Sequence, residues 1–348
     1  MRLPSLLSVL LLCPLPALAN DGWGGLDATG LQFGQTEAVE MAEEELYISP
    51  TEIRVDYLFR NRTDQDVTGE VIFPLPPIAL AETLYSAWNL PEDPGRDDLV
   101  NFRAEVEGRP VAVQIDRIAV IAPEWREDIP GSEQYAAPGR DVTALLAAQG
   151  LPLTADVAAV ARVLLAKSLP ERQQLEALGL AGYVPAGETY PEEAIPLWSV
   201  VLRYHWTQTF PAGATLRISH RYENHPPGGL FIWSHPPEDY HLDLVAQYCI
   251  DEGTSRAIAR RLSYTDDNGA PQVMGSAYEM RYVLRTANSW AGPIGRFRLI
   301  LDKGAAENIV SLCAEGIDKT GPTTFVMEKT DFVPRDDLRI LVVVPTKF

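Results

Sequence analysis

The chain has 348 residues, a formal net charge of −19 and 46% hydrophobic residues. That acidity repels phosphate backbones and anionic lipid surfaces, so nucleic acid is excluded as an expected partner. The length favours two domains, or one domain with a large insertion.

The chain opens like an export leader. Arg2 supplies a positive start, residues 6–12 are apolar apart from Ser8, and Ala17-Leu18-Ala19 matches the small-x-small rule, placing cleavage after Ala19. The apolar run is too short for a bilayer core of roughly 30 Å, and Pro14 and Pro16 interrupt it. Leu12 stands before Cys13 where lipidation wants a small residue, so simple cleavage is expected. The longest later apolar run, residues 340–344, has strand length. The expected destination is therefore periplasmic or secreted, in a bacterium, with no transmembrane segment once the leader is gone.

Residues 46–60 alternate after Pro50, with Ile53, Val55, Tyr57 and Phe59 on one face, which predicts a half-buried strand. Residues 67–73 are expected to be its partner, ended by Pro74 and Pro76. Residues 102–121 read as a hairpin turning at Gly108-Arg109. Glu43-Glu44-Glu45 reads as a solvated stretch before a strand, since it lacks the spacing of a calcium loop.

The period then changes. Residues 141–182 read as a small helical insertion, with Asp141 and Thr154 as candidate caps and Ser168-Leu169-Pro170-Glu171 as a capping box. Alternation returns in residues 198–207, where Trp198, Val200, Leu202, Tyr204 and Trp206 share a face. Phe210-Pro211-Ala212-Gly213 predicts a turn into residues 214–222. Pro226-Pro227-Gly228-Gly229 marks a domain boundary or long turn. Beyond it, Asp251 is expected to cap a helix through Leu262, with Arg256 and Arg260 on its wet face. Five strand-like segments follow between residues 278 and 344. The fold class is therefore mainly β: two antiparallel sandwich-like domains, about 20–228 and 229–348, with a helical insertion in the first and one helix in the second.

Cys13 leaves with the leader, and Cys249 and Cys313 remain in a compartment that permits disulfides. No C-x-x-C motif occurs, so a structural disulfide is expected. All five histidines, His205, His220, His225, His235 and His241, fall within 37 residues. Imidazole is a common zinc ligand, but no H-E-x-x-H spacing is present and no metal ligand set is assigned. Aromatic residues crowd the same region and suggest a groove for sugar or peptide, with His220, Trp233, His235, Tyr240 and His241 as candidate binding residues. The plainer reading is that most of these rings fill a core. No G-x-S-x-G, phosphate loop or dinucleotide fingerprint occurs, so neither a catalytic residue nor a cofactor is assigned.

Several blocks, taken in order, resemble one bacterial family. They include Asn20-Asp21, VDYLFRN (55–61), VIFPLP (71–76), WTQTFPAG (206–213), YCIDEG (248–253), NSWAGPI (288–294), FRLILDKG (297–304) and DLRILV (337–342). This is the exported domain-of-unknown-function 4424 family. Pro77 departs from its pattern, in a loop. The resemblance implies export, a mainly β architecture and a cysteine pair at Cys249 and Cys313, and no established activity. A looser likeness to vault/inter-alpha-trypsin-inhibitor sandwich domains implies protein contacts rather than chemistry. The expectation is a non-catalytic periplasmic binding or protein-interaction module for an envelope protein or glycan. The alternative is a metal-assisted envelope hydrolase using the histidine-rich segment 205–241.

Overall fold

Alternating side chains build the strand Glu52–Asn61, which buries Ile53, Val55, Tyr57 and Phe59 and turns Arg54, Asp56 and Arg60 to water. The computed structural model describes residues 21–27, 30–85, 89–123, 139–265 and 271–345; the leader and its cleavage point lie outside these. Glu52–Asn61 pairs antiparallel with Val39–Ile48. The turn between them is fixed by the Glu52 N–H, which donates to Ser49 Oγ at 3.0 Å.

These two strands sit inside an eight-stranded sheet. On one side lie Thr215–Glu223 and the short hairpin Arg103–Val106 with Arg109–Pro110. On the other, Ile294–Asp302 runs parallel to Val39–Ile48, followed by Thr324–Phe332 and Ile317–Lys319. The sheet thus unites strands from both sides of residue 228.

Two expected pairings are corrected, and the turn after Phe210 is placed. Val67–Pro74 does not lie beside Glu52–Asn61; it pairs with Ser199–Phe210 in a seven-stranded sheet. The turn after Phe210 joins strands of different sheets, Ser199–Phe210 and Thr215–Glu223, instead of closing a hairpin. Residues 102–121 divide likewise, since Gln114–Ile121 pairs with Ser199–Phe210. Alternation records which face a strand buries, not which strand lies alongside it.

The seven- and eight-stranded sheets share a core. Phe73 and His220 rings lie 4.4 Å apart across it, and Phe59 and Phe210 rings 5.6 Å. A five-stranded sheet, centred on Pro271–Tyr282 and Leu338–Pro345, lends one face to the same core through Met280, Tyr282, Ile340 and Val342. Its other face carries Ala277, Leu341 and Val343 into a second, smaller core with Ile258 and Leu262 of the helix Glu252–Leu262.

The insertion supplies the helices Thr143–Ala148, Val157–Leu165 and Leu169–Ala177. Ser168 and Glu171 form the expected capping box, with the Ser168 N–H donating to the Glu171 carboxylate at 2.8 Å. The middle helix is capped by Asp156, not Thr154; Thr154 Oγ1 accepts the Asp156 N–H instead. Glu43-Glu44-Glu45 is not a solvated lead-in but part of Val39–Ile48, and Glu44 is only 1% exposed. Among the described residues no helix is long and apolar enough to cross a membrane.

Candidate functional site

Two proline pairs separated by 150 positions line one crevice: Pro76-Pro77, after Val67–Pro74, and Pro226-Pro227, after Thr215–Glu223. Proline has no N–H to continue a ladder, so each pair ends a strand and leaves an apolar wall. Backbone bonds fix both walls. The Leu75 N–H donates to the Leu202 carbonyl at 2.8 Å, and the Pro227 carbonyl accepts from the Glu279 N–H at 2.8 Å. Asn89 Nδ2 donates to the Pro226 carbonyl at 2.9 Å.

The floor is apolar, made by Ile53, Leu75, Ile78, Leu99, Val100 and Tyr222, all buried. Burial holds the Tyr222 hydroxyl well above its ordinary range, so it stays neutral there. The cavity measures about 70 Å³, under half the roughly 150 Å³ that encloses benzene. It takes a group the size of one side chain, not a large cofactor.

Three charged side chains, Glu223, Glu279 and Arg281, line the crevice. Glu223 has three side-chain partners. It accepts from Asn101 Nδ2 at 2.5 Å and Arg96 Nη2 at 3.1 Å, and lies 3.3 Å from His225 Nε2. The Asn101 bond, supported by Arg96 and His225, holds its carboxyl below the usual range. Arg281 is not saturated. Its Nη2 donates to Glu279, while its shielded Nε finds no hydrogen-bond partner among the described residues. Burial opposes the Arg281 charge, but Glu279, with Tyr248 and Glu82 behind it, outweighs that and holds the guanidinium above its ordinary value.

Of the residues singled out in the sequence, four gather elsewhere. Trp233 is 1% exposed and its Nε1 donates to Ser255 Oγ at 3.2 Å. His235 Nδ1 lies 3.0 Å from the same oxygen. The His241 ring lies tilted 4.6 Å from Trp233 and 4.0 Å from Tyr240, and its Nε2 donates to the Ile232 carbonyl at 3.0 Å. Of this group Tyr240 alone is well exposed. His220 stands apart in the large core, its Nδ1 3.5 Å from the Asp21 carboxylate. His205 pairs with Glu70 at 2.8 Å, both buried. No three His, Cys, Asp or Glu side chains among the described residues are grouped to hold a metal ion. Cys249 and Cys313 are joined in a disulfide.

Sequence reasoning missed Arg281 and the Glu223 network. The two proline pairs were the usable signal. Each reads locally as a strand end or a boundary, and their shared crevice emerges only when the strands they terminate are brought together.

Fold and site define a multi-sheet β protein with a small apolar crevice and one unsaturated guanidinium on its rim. The chain belongs to the family described as Domain of unknown function (DUF4424), whose profile matches residues 19–341. No curated protein matches the sequence. Among solved structures, a candidate nutrient binding protein from Legionella pneumophila is similar at 17% identity and a TM-score of 0.43, over 93% of this chain and 72% of that one. An M1 zinc metallopeptidase from Deinococcus radiodurans is similar at 7% identity and a TM-score of 0.26, over 89% of this chain and 43% of that one.

Proposed function

We propose that this chain is a non-catalytic binding module of the bacterial envelope, exported with cleavage after Ala19, and that its ligand sits in the proline-walled crevice. The observation that carries this reading is a buried apolar floor joined to the charged side chains Glu223, Glu279 and Arg281, which line the same crevice. Small-ligand sites have this make-up: mostly apolar lining with a few converging polar groups.

The test is native mass spectrometry of the full chain purified from the periplasm, beside the variant Ile78→Trp, which fills the floor. A one-to-one adduct on the parent and none on the variant is the expected result. A bare parent, even after incubation with envelope extract, would sink the reading. Amino-terminal sequencing of the same material should begin at Asn20, and an intact leader would remove the export part.

A further inference from the structure

Beyond the crevice, we propose that the strand Gly228–Ile232 is a docking edge for an extended polypeptide segment in which aliphatic and basic residues alternate. This strand is the outermost of the five-stranded sheet and pairs on one side, antiparallel to Pro271–Tyr282. The Pro227 carbonyl accepts from the Glu279 N–H at 2.8 Å, and the Trp233 N–H donates to the Val273 carbonyl at 3.3 Å. The two-residue period of such a ladder turns the N–H and C=O groups of Gly228, Leu230 and Ile232 away from the sheet. His241 Nε2 takes the Ile232 carbonyl. Among the described residues nothing pairs with the rest.

The side chains on this edge are as open as its backbone. Phe231 and Trp233 point into the small core, so Leu230 and Ile232 take the opposite face, where they are 73% and 50% exposed. Edge strands are usually blunted by a charge, a proline or a bulge. Here the prolines stand outside, at Pro226-Pro227 and Pro236-Pro237, and the strand itself carries none of these devices. An added strand places every second side chain over Leu230 and Ile232, which calls for aliphatic residues there.

Its other side chains emerge on the Trp233 face. There residues 238–243 fold back on the edge, with the His241 ring 4.6 Å from Trp233. This turn exposes Glu238, Asp239 and Asp243, and among the described residues none of the three is held in an ion pair. No Lys or Arg occurs from residue 222 to residue 255. Tyr240 and Leu242 are exposed beside these acids, an apolar surface for the stems of long basic side chains. Unanswered negative charge on this face favours Lys or Arg at the alternate positions. It disfavours a second copy of this chain, whose net charge is −19, as the occupant.

Fluorescence anisotropy on the full chain purified from the periplasm tests this with a labelled, end-capped peptide, Lys-Val-Lys-Val-Lys-Val-Lys. It is expected to bind roughly tenfold tighter than the same residues grouped as Val-Val-Val-Lys-Lys-Lys-Lys, and roughly tenfold tighter than Ser-Val-Ser-Val-Ser-Val-Ser. Equal affinity for the grouped peptide would overturn strand addition, and equal affinity for the serine peptide would overturn the basic assignment. N-methylation of the valines should abolish binding if the segment adds antiparallel, and of the inner lysines if it adds parallel. Tolerance of both would also overturn strand addition. Leu230→Asp alters an exposed residue and should weaken the alternating peptide about tenfold although it adds negative charge. Stronger binding there would reduce the contact to charge alone and overturn the apolar seat. Light scattering addresses the other occupant: a dimer of the unaltered chain that Leu230→Asp dissociates would assign the edge to a second copy and overturn the basic partner.

Discussion

The two cores of this protein are held by different means. The large one lies between extended sheets and draws buried side chains from residue 39 to residue 342. The small one has nine buried residues among the described ones, packed between the outer face of the five-stranded sheet and the segment that contains the helix Glu252–Leu262. Hydrophobic burial scales with core size, and a cluster that small supports little order by itself. The Cys249–Cys313 disulfide ties this small core, linking the segment before the helix to the segment after Ile309–Ser311. Beside it, Ser311 Oγ donates to the Tyr248 carbonyl at 2.9 Å. Where packing is extensive the chain needs no covalent link, and where it is thin the link substitutes for packing.

The largest test breaks that comparison directly. Replacing both cysteines with serine reopens a connection of 64 positions, worth about 4 kcal/mol in the chain-entropy account. The loss should be local. Amide exchange in residues 230–262 is expected to accelerate while Glu52–Asn61 and Ser199–Phe210 stay protected. Uniform acceleration across both cores would mean that they unfold as one unit.

A second test belongs to the large core. Glu70 and His205 are each 4% exposed, and Thr207 Oγ1 also donates to Glu70. Glu70→Ala removes one partner of a buried pair, which costs about 3 kcal/mol. Denaturant unfolding should show the whole loss in one cooperative transition, with the small core following. A change below about 0.5 kcal/mol, the size of an ordinary surface substitution, would show that the pair lies outside the cooperative unit.

The same contrast explains what could be read from sequence. Glu52–Asn61 was legible because every second residue is apolar and the strand is regular. Its neighbour Val39–Ile48 was not. A register shift between Met41 and Glu43 breaks the alternation, so Glu44 takes an inward position that the pattern reserves for an apolar residue. Glu43 and Glu45 then pair with Arg296 and Arg298 at 2.8 and 2.7 Å, partners more than 250 positions away. Gly22–Asp27 was hidden for another reason: its three glycines carry no side chain to show a period. The helices Leu169–Ala177 and Glu252–Leu262 were the most legible elements, because their capping residues are local, whereas Leu242–Gln247, which has no side-chain cap, adds a second helix after residue 228 where one was expected. The crevice was the least, because its floor draws on four separate stretches between residues 53 and 222, and Arg281 lies farther on still.

The smallest test sharpens the comparison inside the small core. Asp251 caps the helix Glu252–Leu262 by accepting the Thr254 N–H at 2.6 Å, and this bond holds its carboxyl below the usual range. Asp251→Ala should cost about 1 kcal/mol near neutral pH, read as faster exchange in that helix alone. The sign with pH follows from the lowered value: the folded state favours the ionised carboxylate, so its contribution is complete above the unfolded value near 3.9 and fades as pH falls through the folded one. The gap between parent and Asp251→Ala should therefore narrow in acid. Asp251→Asn should keep most of the cap at both ends of the range, since a neutral amide oxygen accepts the same N–H. A gap that stays constant down to pH about 2, below the unfolded carboxyl value, would show that the side chain's ionisation contributes nothing to the helix. The small core would then owe its order to the disulfide and its packing alone.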